Sequence, residues 1–274
     1  MLNASQFTKI DHSEPNINRV DFHATDSIDQ YQLGEGFAEY LKTQRLYPDE
    51  INEWDKAISK RDKLNPLLQR KVVLALAEGV LKDDLKTIDE DALTGTCGQL
   101  IFHWIRAQFY GNEILYRYPE LLTDSSKRQG IDYFEIIGNP HDESTLCFVI
   151  WEVKATDSDV STRTNEIYKM HRRRSLRLLR GLGLQISLQY PETTVLGRFA
   201  RQLLDHWIAN NSCKRLGGAV VVDERNFPVH AFKTFHQQFP ELRSASCRQV
   251  ILIGIPEFAT MRRHLWTYLQ SQMS

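Results

Sequence analysis

The chain has 274 residues, 42% of them hydrophobic, which is ample for a buried core. Its 34 Lys and Arg balance 35 Asp and Glu, so any nucleic-acid partner must be met by a local basic cluster and not by overall charge. Cys97, Cys147, Cys213 and Cys247 form no C-x-x-C pair, which argues against a zinc site or a disulfide framework and for reduced, buried thiols.

The first residues, M-L-N-A-S-Q-F-T-K-I-D-H, show no basic stretch followed by an apolar run, so no signal peptide is expected. The apolar runs are too short to span a bilayer. The expectation is a cytoplasmic protein with no membrane partner. Residues 1–30 are polar, contain Pro15 and read as a loosely packed arm. Helical signals follow. Phe37, Tyr40, Leu41 and Leu46 share a face; Pro48-Asp49-Glu50 opens a second helix carrying Ile51, Trp54 and Ile58. Pro66 opens a third, closed near Gly79. The acidic run K-D-D-L-K-T-I-D-E-D then reads as a solvated connector. Residues 1–90 are therefore expected to be a mostly helical region suited to partner docking, and residues 91–274 a second domain.

That second domain begins with a helix from about Thr94 to Gly111, then a strand in E-I-L-Y-R-Y-P-E-L with Pro119 near its end. Two strands follow between Gln129 and Thr156. A basic helix spans about Thr162 to Arg180, stopped by Gly181 and Gly183, and another helix covers about Thr193 to Asn210. The runs G-G-A-V-V-V-D-E and R-Q-V-I-L-I-G-I are of strand length, with a short helix between them near Ala231 to Gln238; a terminal helix closes the chain. This order predicts an α/β fold with a central mixed sheet flanked by helices.

The two strands between Gln129 and Thr156 carry charges that an ordinary core strand avoids. The first bears Asp132. The second, L-C-F-V-I-W-E-V-K-A-T, is apolar on both faces before Glu152 and Lys154, so it reads as a central strand. Alternation puts Glu152 and Lys154 on one face and Val153 on the other, and a hairpin would bring Asp132 close to Glu152. Two carboxylates and an ammonium at the end of a buried sheet suit a divalent metal and phosphodiester chemistry. The alternative is a Glu152–Lys154 salt bridge at a strand end with Asp132 in a turn. Glu-x-Lys alone decides little: Asp84-Leu85-Lys86 has the same form but lies in the acidic connector, with no buried strand before it. Gly130 before Ile131-Asp132 allows close backbone approach.

Helix, strand, Gly-Ile-Asp strand, an apolar strand ending in Glu-x-Lys and then a helix resembles the PD-(D/E)XK nuclease superfamily, over roughly Thr94 to Ile255. The resemblance implies a restriction-endonuclease-like core and metal-dependent phosphodiester hydrolysis with Mg²⁺ or Mn²⁺. It implies Asp132 and Glu152 as metal ligands, the main-chain carbonyl of Val153 as a further ligand, and Lys154 as the catalytic lysine. Ile131 stands where the family often has Pro, and Gln99 where its preceding helix often carries an acid. In size and layout the chain is also similar to the small nuclease subunits of bacterial anti-phage defence systems such as the Hachiman type. That similarity implies a helicase as partner; the nucleic acid expected as substrate is DNA before RNA.

The basic helix adds a nucleic-acid face: Arg163, Lys169, Arg172, Arg173, Arg174 and Arg177, with Glu166 its only acid. A solvated surface or an acidic partner explains the same charges. Thr156, Ser158, Ser161 and Thr162 before and at its start read as phosphate contacts or, for one of them, a helix cap. His103, among Phe102, Trp104 and Ile105, reads as a core histidine. Two other classes stay open: a non-catalytic binding or docking subunit, and an α/β enzyme on a small phosphorylated substrate, for which no glycine-rich fingerprint is present.

Overall fold

The computed structural model describes residues 2–25, 28–60, 80, 87–118, 132–173, 176–209 and 213–273. The helix expected from Pro66, the first half of the acidic connector, Pro119, Gly130, Ile131 and Arg174 lie outside them. Strands β1 (Phe7–Ser13) and β2 (Asn18–Ala24) come first, then helices α1 (Gln30–Arg45), α2 (Pro48–Lys60) and α3 (Glu90–Tyr110). Next are β3 (Ile114–Tyr118), β4 (Tyr133–Ile137) and β5 (Cys147–Thr156). Helices α4 (Val160–Arg173), α5 (Leu176–Gln189), α6 (Val195–Arg201) and α7 (Leu203–Ile208) lead to β6 (Lys214–Asp223). Helix α8 (Phe235–Gln238), β7 (Arg248–Ile255) and α9 (Phe258–Met273) complete the chain.

The fold is α/β, as expected. Seven strands form one mixed sheet in the order β1-β2-β7-β6-β5-β4-β3. β2, β7, β6 and β5 are parallel, and antiparallel pairs stand at both edges, β1 with β2 and β5 with β4 and β3. The sheet separates two cores. Val149, Trp151, Val153 and Ala155 of β5 join the core that includes Phe37, Leu100, Trp104 and Phe258. Phe148 and Ile150 join the other, with Ile167 of α4, Leu179 of α5 and Phe199 of α6. Burial on both sides explains why β5, β6 and β7 read as nearly continuous apolar runs.

Three expectations are corrected. Residues 1–30 are not a loose arm: β1 and β2 are part of the sheet, and β2 pairs in parallel with β7. The legible signal was alternation, since Val20, Phe22 and Ala24 face the core while Arg19, Asp21 and His23 take the other face. The basic segment is not one helix stopped by glycines. It is α4 and α5, and Gly181 and Gly183 lie inside α5. A side chain at Gly183 would come within 2.6 Å of the Ala200 carbonyl oxygen, so glycine is required there for close packing of α6. The segment after Thr193 is likewise two short helices, broken at Gln202.

One buried ion pair ties α3 to the strands. Glu135 of β4 is fully buried, and Arg106 of α3 grips it through Nη2 to Oε1 at 2.6 Å and Nε to Oε2 at 3.2 Å. The Trp151 indole N–H of β5 donates to the same carboxylate at 3.0 Å. The guanidinium stacks 4.1 Å from the Tyr110 ring. Removing one member strands a charge in the core, so Arg106→Leu is expected to destabilise the fold by about 3–5 kcal/mol. Urea denaturation checks this; a loss under about 1 kcal/mol would show that the pair is not structural.

Candidate active site

The β4–β5 register pairs Tyr133 with Trp151, which sets Asp132, one residue earlier, opposite Glu152. Asp132 is half-buried and held by two donors. Its Oδ2 accepts the Val153 backbone N–H at 2.8 Å, and its Oδ1 accepts the Gln99 side-chain amide at 3.3 Å. Gln99 reaches it because α3 lies directly on β5. A Cβ at Gly98 would sit 2.6 Å from that of Ala155, an approach that only glycine permits. The structure therefore brings Gln99 to the carboxylates as a donor that orients Asp132.

Glu152 is 1% exposed and Lys154 about a quarter exposed, with Nζ donating to Oε1 at 2.8 Å. Both lie on the face of Phe148 and Ile150, toward α4, as alternation demands. Burial alone would push the Lys154 ammonium toward neutrality. The charges of Glu152 and Asp132, with Glu166 of α4 adding to them, outweigh burial and raise its pKa above the ordinary lysine value.

Val153 points the other way, into the first core. A strand residue sends its N–H and C=O toward the same neighbour. Because the Val153 N–H meets Asp132, its carbonyl points to that side too. The donor set is thus two carboxylates and one carbonyl, all hard oxygens. Each carboxylate oxygen that takes one hydrogen bond keeps a lone pair for a cation. This suits Mg²⁺ or Mn²⁺, which keep several waters and need few protein ligands. Among the described residues, no three His, Cys, Asp or Glu side chains converge closely enough to hold a metal by themselves.

The basic residues are spread more widely than the sequence suggests. Arg163 is half-exposed and paired with Glu166 at 3.0 Å. Lys169, Arg172 and Arg173 are exposed on α4. Arg172 reaches the Gln238 side chain and lies 5.9 Å from the Phe239 ring centre, so it also docks α8. Arg177 lies in α5, but its side chain is outside the described residues. The first turn of α4 is capped by Asp159, which accepts the N–H groups of Ser161 and Thr162, and not by a hydroxyl of the preceding loop. His103 is the expected core residue: 1% exposed, its Nδ1 2.6 Å from the Tyr40 hydroxyl, with burial lowering its pKa to about 3.

Glu166, which the sequence offers only as a helix-surface acid, adds to the field at Lys154. Its signal was visible: the one acid on a basic helix, three residues after Arg163. No protein-family model matches this chain, and no curated protein matches it either.

Because the folded pKa of Lys154 is raised, its stabilising effect is complete below the unfolded value of about 10.4 and disappears as pH rises through the folded value. The stability difference between the wild type and Lys154→Met should therefore stay level from pH 6 to 9 and shrink only above about pH 10. Denaturant melts across that range measure it; a difference that collapses near pH 7 would refute the assignment.

Proposed function

We propose that this chain is a metal-dependent nuclease that hydrolyses phosphodiester bonds, with DNA the favoured substrate. The single observation that supports it best is the convergence of Asp132, Glu152, Lys154 and the Val153 main chain at the end of the β4–β5 pair. That arrangement matches what the PD-(D/E)XK resemblance implies for these four residues. Similarity in size and layout to small defence-system nuclease subunits extends the proposal to anti-phage action with a helicase partner.

In this reading Asp132, Glu152 and the Val153 carbonyl would hold the cation. When bound, Mg²⁺ or Mn²⁺ supplies Lewis-acid polarisation of the scissile phosphate and a more acidic water. Gln99 and the Val153 N–H keep Asp132 in one orientation, which limits the rearrangement needed on binding. Lys154, an ammonium at neutral pH, acts as an electrostatic stabiliser of the phosphoryl oxygens and not as a base. The Glu152–Lys154 ion pair also favours a second reading, a non-catalytic binding subunit in which the pair is structural.

Activity separates the two. Purified protein, alone and with the proteins of its gene neighbourhood, should cut plasmid DNA with Mg²⁺ or Mn²⁺ and lose that activity in EDTA. Glu152→Gln and Asp132→Asn should each lose at least about a hundredfold in rate while melting within a few degrees of the wild type. Gln99→Ala, which removes only an orienting donor, should lose about tenfold. Absence of cutting of DNA and RNA under every metal and partner, or undiminished cutting by both carboxylate variants, would sink the nuclease reading.

A further inference from the structure

On the opposite flank of α4 from Arg163 and Glu166 lies a cleft of about 480 Å³ that none of the assigned residues uses. One wall is Ser161, Asn165 and Tyr168 of α4; the other is His230, Phe232 and Lys233, in the loop between β6 and α8. No carboxylate is among its described lining residues, although Asp and Glu are as numerous in the chain as Lys and Arg. His230, Lys233, Ser161 and Asn165 are all exposed. What faces the cleft is therefore two cationic or potentially cationic groups, hydroxyls and an amide, the donor chemistry that meets phosphate oxygens.

Two further observations indicate a built site. Tyr168 is 2% exposed, and its hydroxyl lies at the cleft beside the side chain of Thr234, a further lining residue with which it interacts. Burial lifts its pKa to about 12, so it stays a neutral donor. Phe232 holds φ at +65°, a left-handed conformation that a bulky residue adopts only when its surroundings force it. The force is visible: its ring occupies the space above Gly218, where a side-chain carbon would come within 2.4 Å. The loop is also clamped from behind. Buried Arg19, itself held by Asp21, donates to the carbonyl oxygens of Val229 at 2.7 Å and Pro228 at 3.2 Å. His230 and Lys233 are thus presented from a preorganised loop.

The loop that walls the cleft packs on β6, the strand next to the one that carries Glu152. Gly218, under Phe232, is the β6 partner of Glu152, so the two lie one strand apart, about 5 Å. The N-terminal turn of α4 already has Asp159 as its cap, so an anion in the cleft would be met by side chains and not by free helix amides.

We propose that this cleft is a phosphate subsite that grips the backbone of a nucleic-acid strand as it passes the Asp132–Glu152 pair. The inference rests on the nuclease reading and names where the substrate is held away from the bond that is cut.

The test is binding of a fluorescent oligonucleotide to the full chain in EDTA, where cutting cannot occur, across a salt series. Lys233→Glu should weaken binding about tenfold or more and reduce the slope of log affinity against log salt by about one. Tyr168→Phe combined with Asn165→Ala should weaken it severalfold. All variants should keep the wild-type melting temperature, and a 5′-mononucleotide at millimolar concentration should not compete. Wild-type protein that binds and cuts, with both variants binding unchanged, overturns the subsite and leaves the nuclease reading standing. A mononucleotide that binds as tightly as the strand, with the same dependence on Lys233, overturns the assignment to a strand. Wild-type protein that neither binds nor cuts nucleic acid overturns both.

Discussion

A carboxylate with no access to water is tolerated in the middle of this sheet only because three elements converge on it. Glu135 is buried in β4, and Arg106 from α3 and Trp151 from β5 satisfy it. Its desolvation is offset only if all three stay in place, so the interaction has little tolerance for slippage. A shift of β4 by one residue would move Glu135 to the other face and leave Arg106 and Trp151 without their acceptor. The network therefore enforces the register that sets Asp132 opposite Glu152. By fixing α3 against β4, it also fixes the helix that carries Gln99.

The candidate site is a consequence of that geometry at the end of the strands. Charges along β4 and β5 change role over a short distance. Glu135 is matched inside the core by a guanidinium, whereas Glu152 is matched by Lys154, whose ammonium is partly open to solvent. The buried pair is closed to ligands. The second keeps an approach from outside and adjoins Asp132, which suits exchange between an internal partner and an external cation or phosphate. α4 packs over the same strands and contributes Glu166 on one flank and the Ser161–Asn165 wall on the other, so one helix borders both the carboxylates and the adjoining cleft.

Legibility varied with the range of the interactions. The α/β class, the succession of strands after Thr94, the interior position of β5 and the shared face of Glu152 and Lys154 follow from local periodicity, and the structure agrees. The opposition of Asp132 and Glu152 required a hairpin and was expected from one. β1 and β2 were missed although Val20, Phe22 and Ala24 alternate, because buried Arg19 and Asp21 make the second face of β2 look like surface. The end of the basic segment was misplaced because glycine is weighted as a helix stop, whereas Gly183 lies within α5 and serves contact with α6. Glu135 and Arg106, 29 positions apart, look like two unrelated surface charges in the sequence.

The sequence by itself determined the alternation that sorts side chains between faces, the apolar strands that must be covered, and the identity of the groups able to bind a hard cation. These depend on residues two to four positions apart, and backbone geometry dictates them. Only the tertiary structure decided that Gln99 orients Asp132, that Glu166 adds to the field at Lys154, and that a loop clamped by Arg19 faces α4 across a cleft with no carboxylate among its described lining residues. Each of those depends on which elements pack together. That choice is made by burial summed over the whole sheet and by the need to leave no charge such as Glu135 unmatched within it.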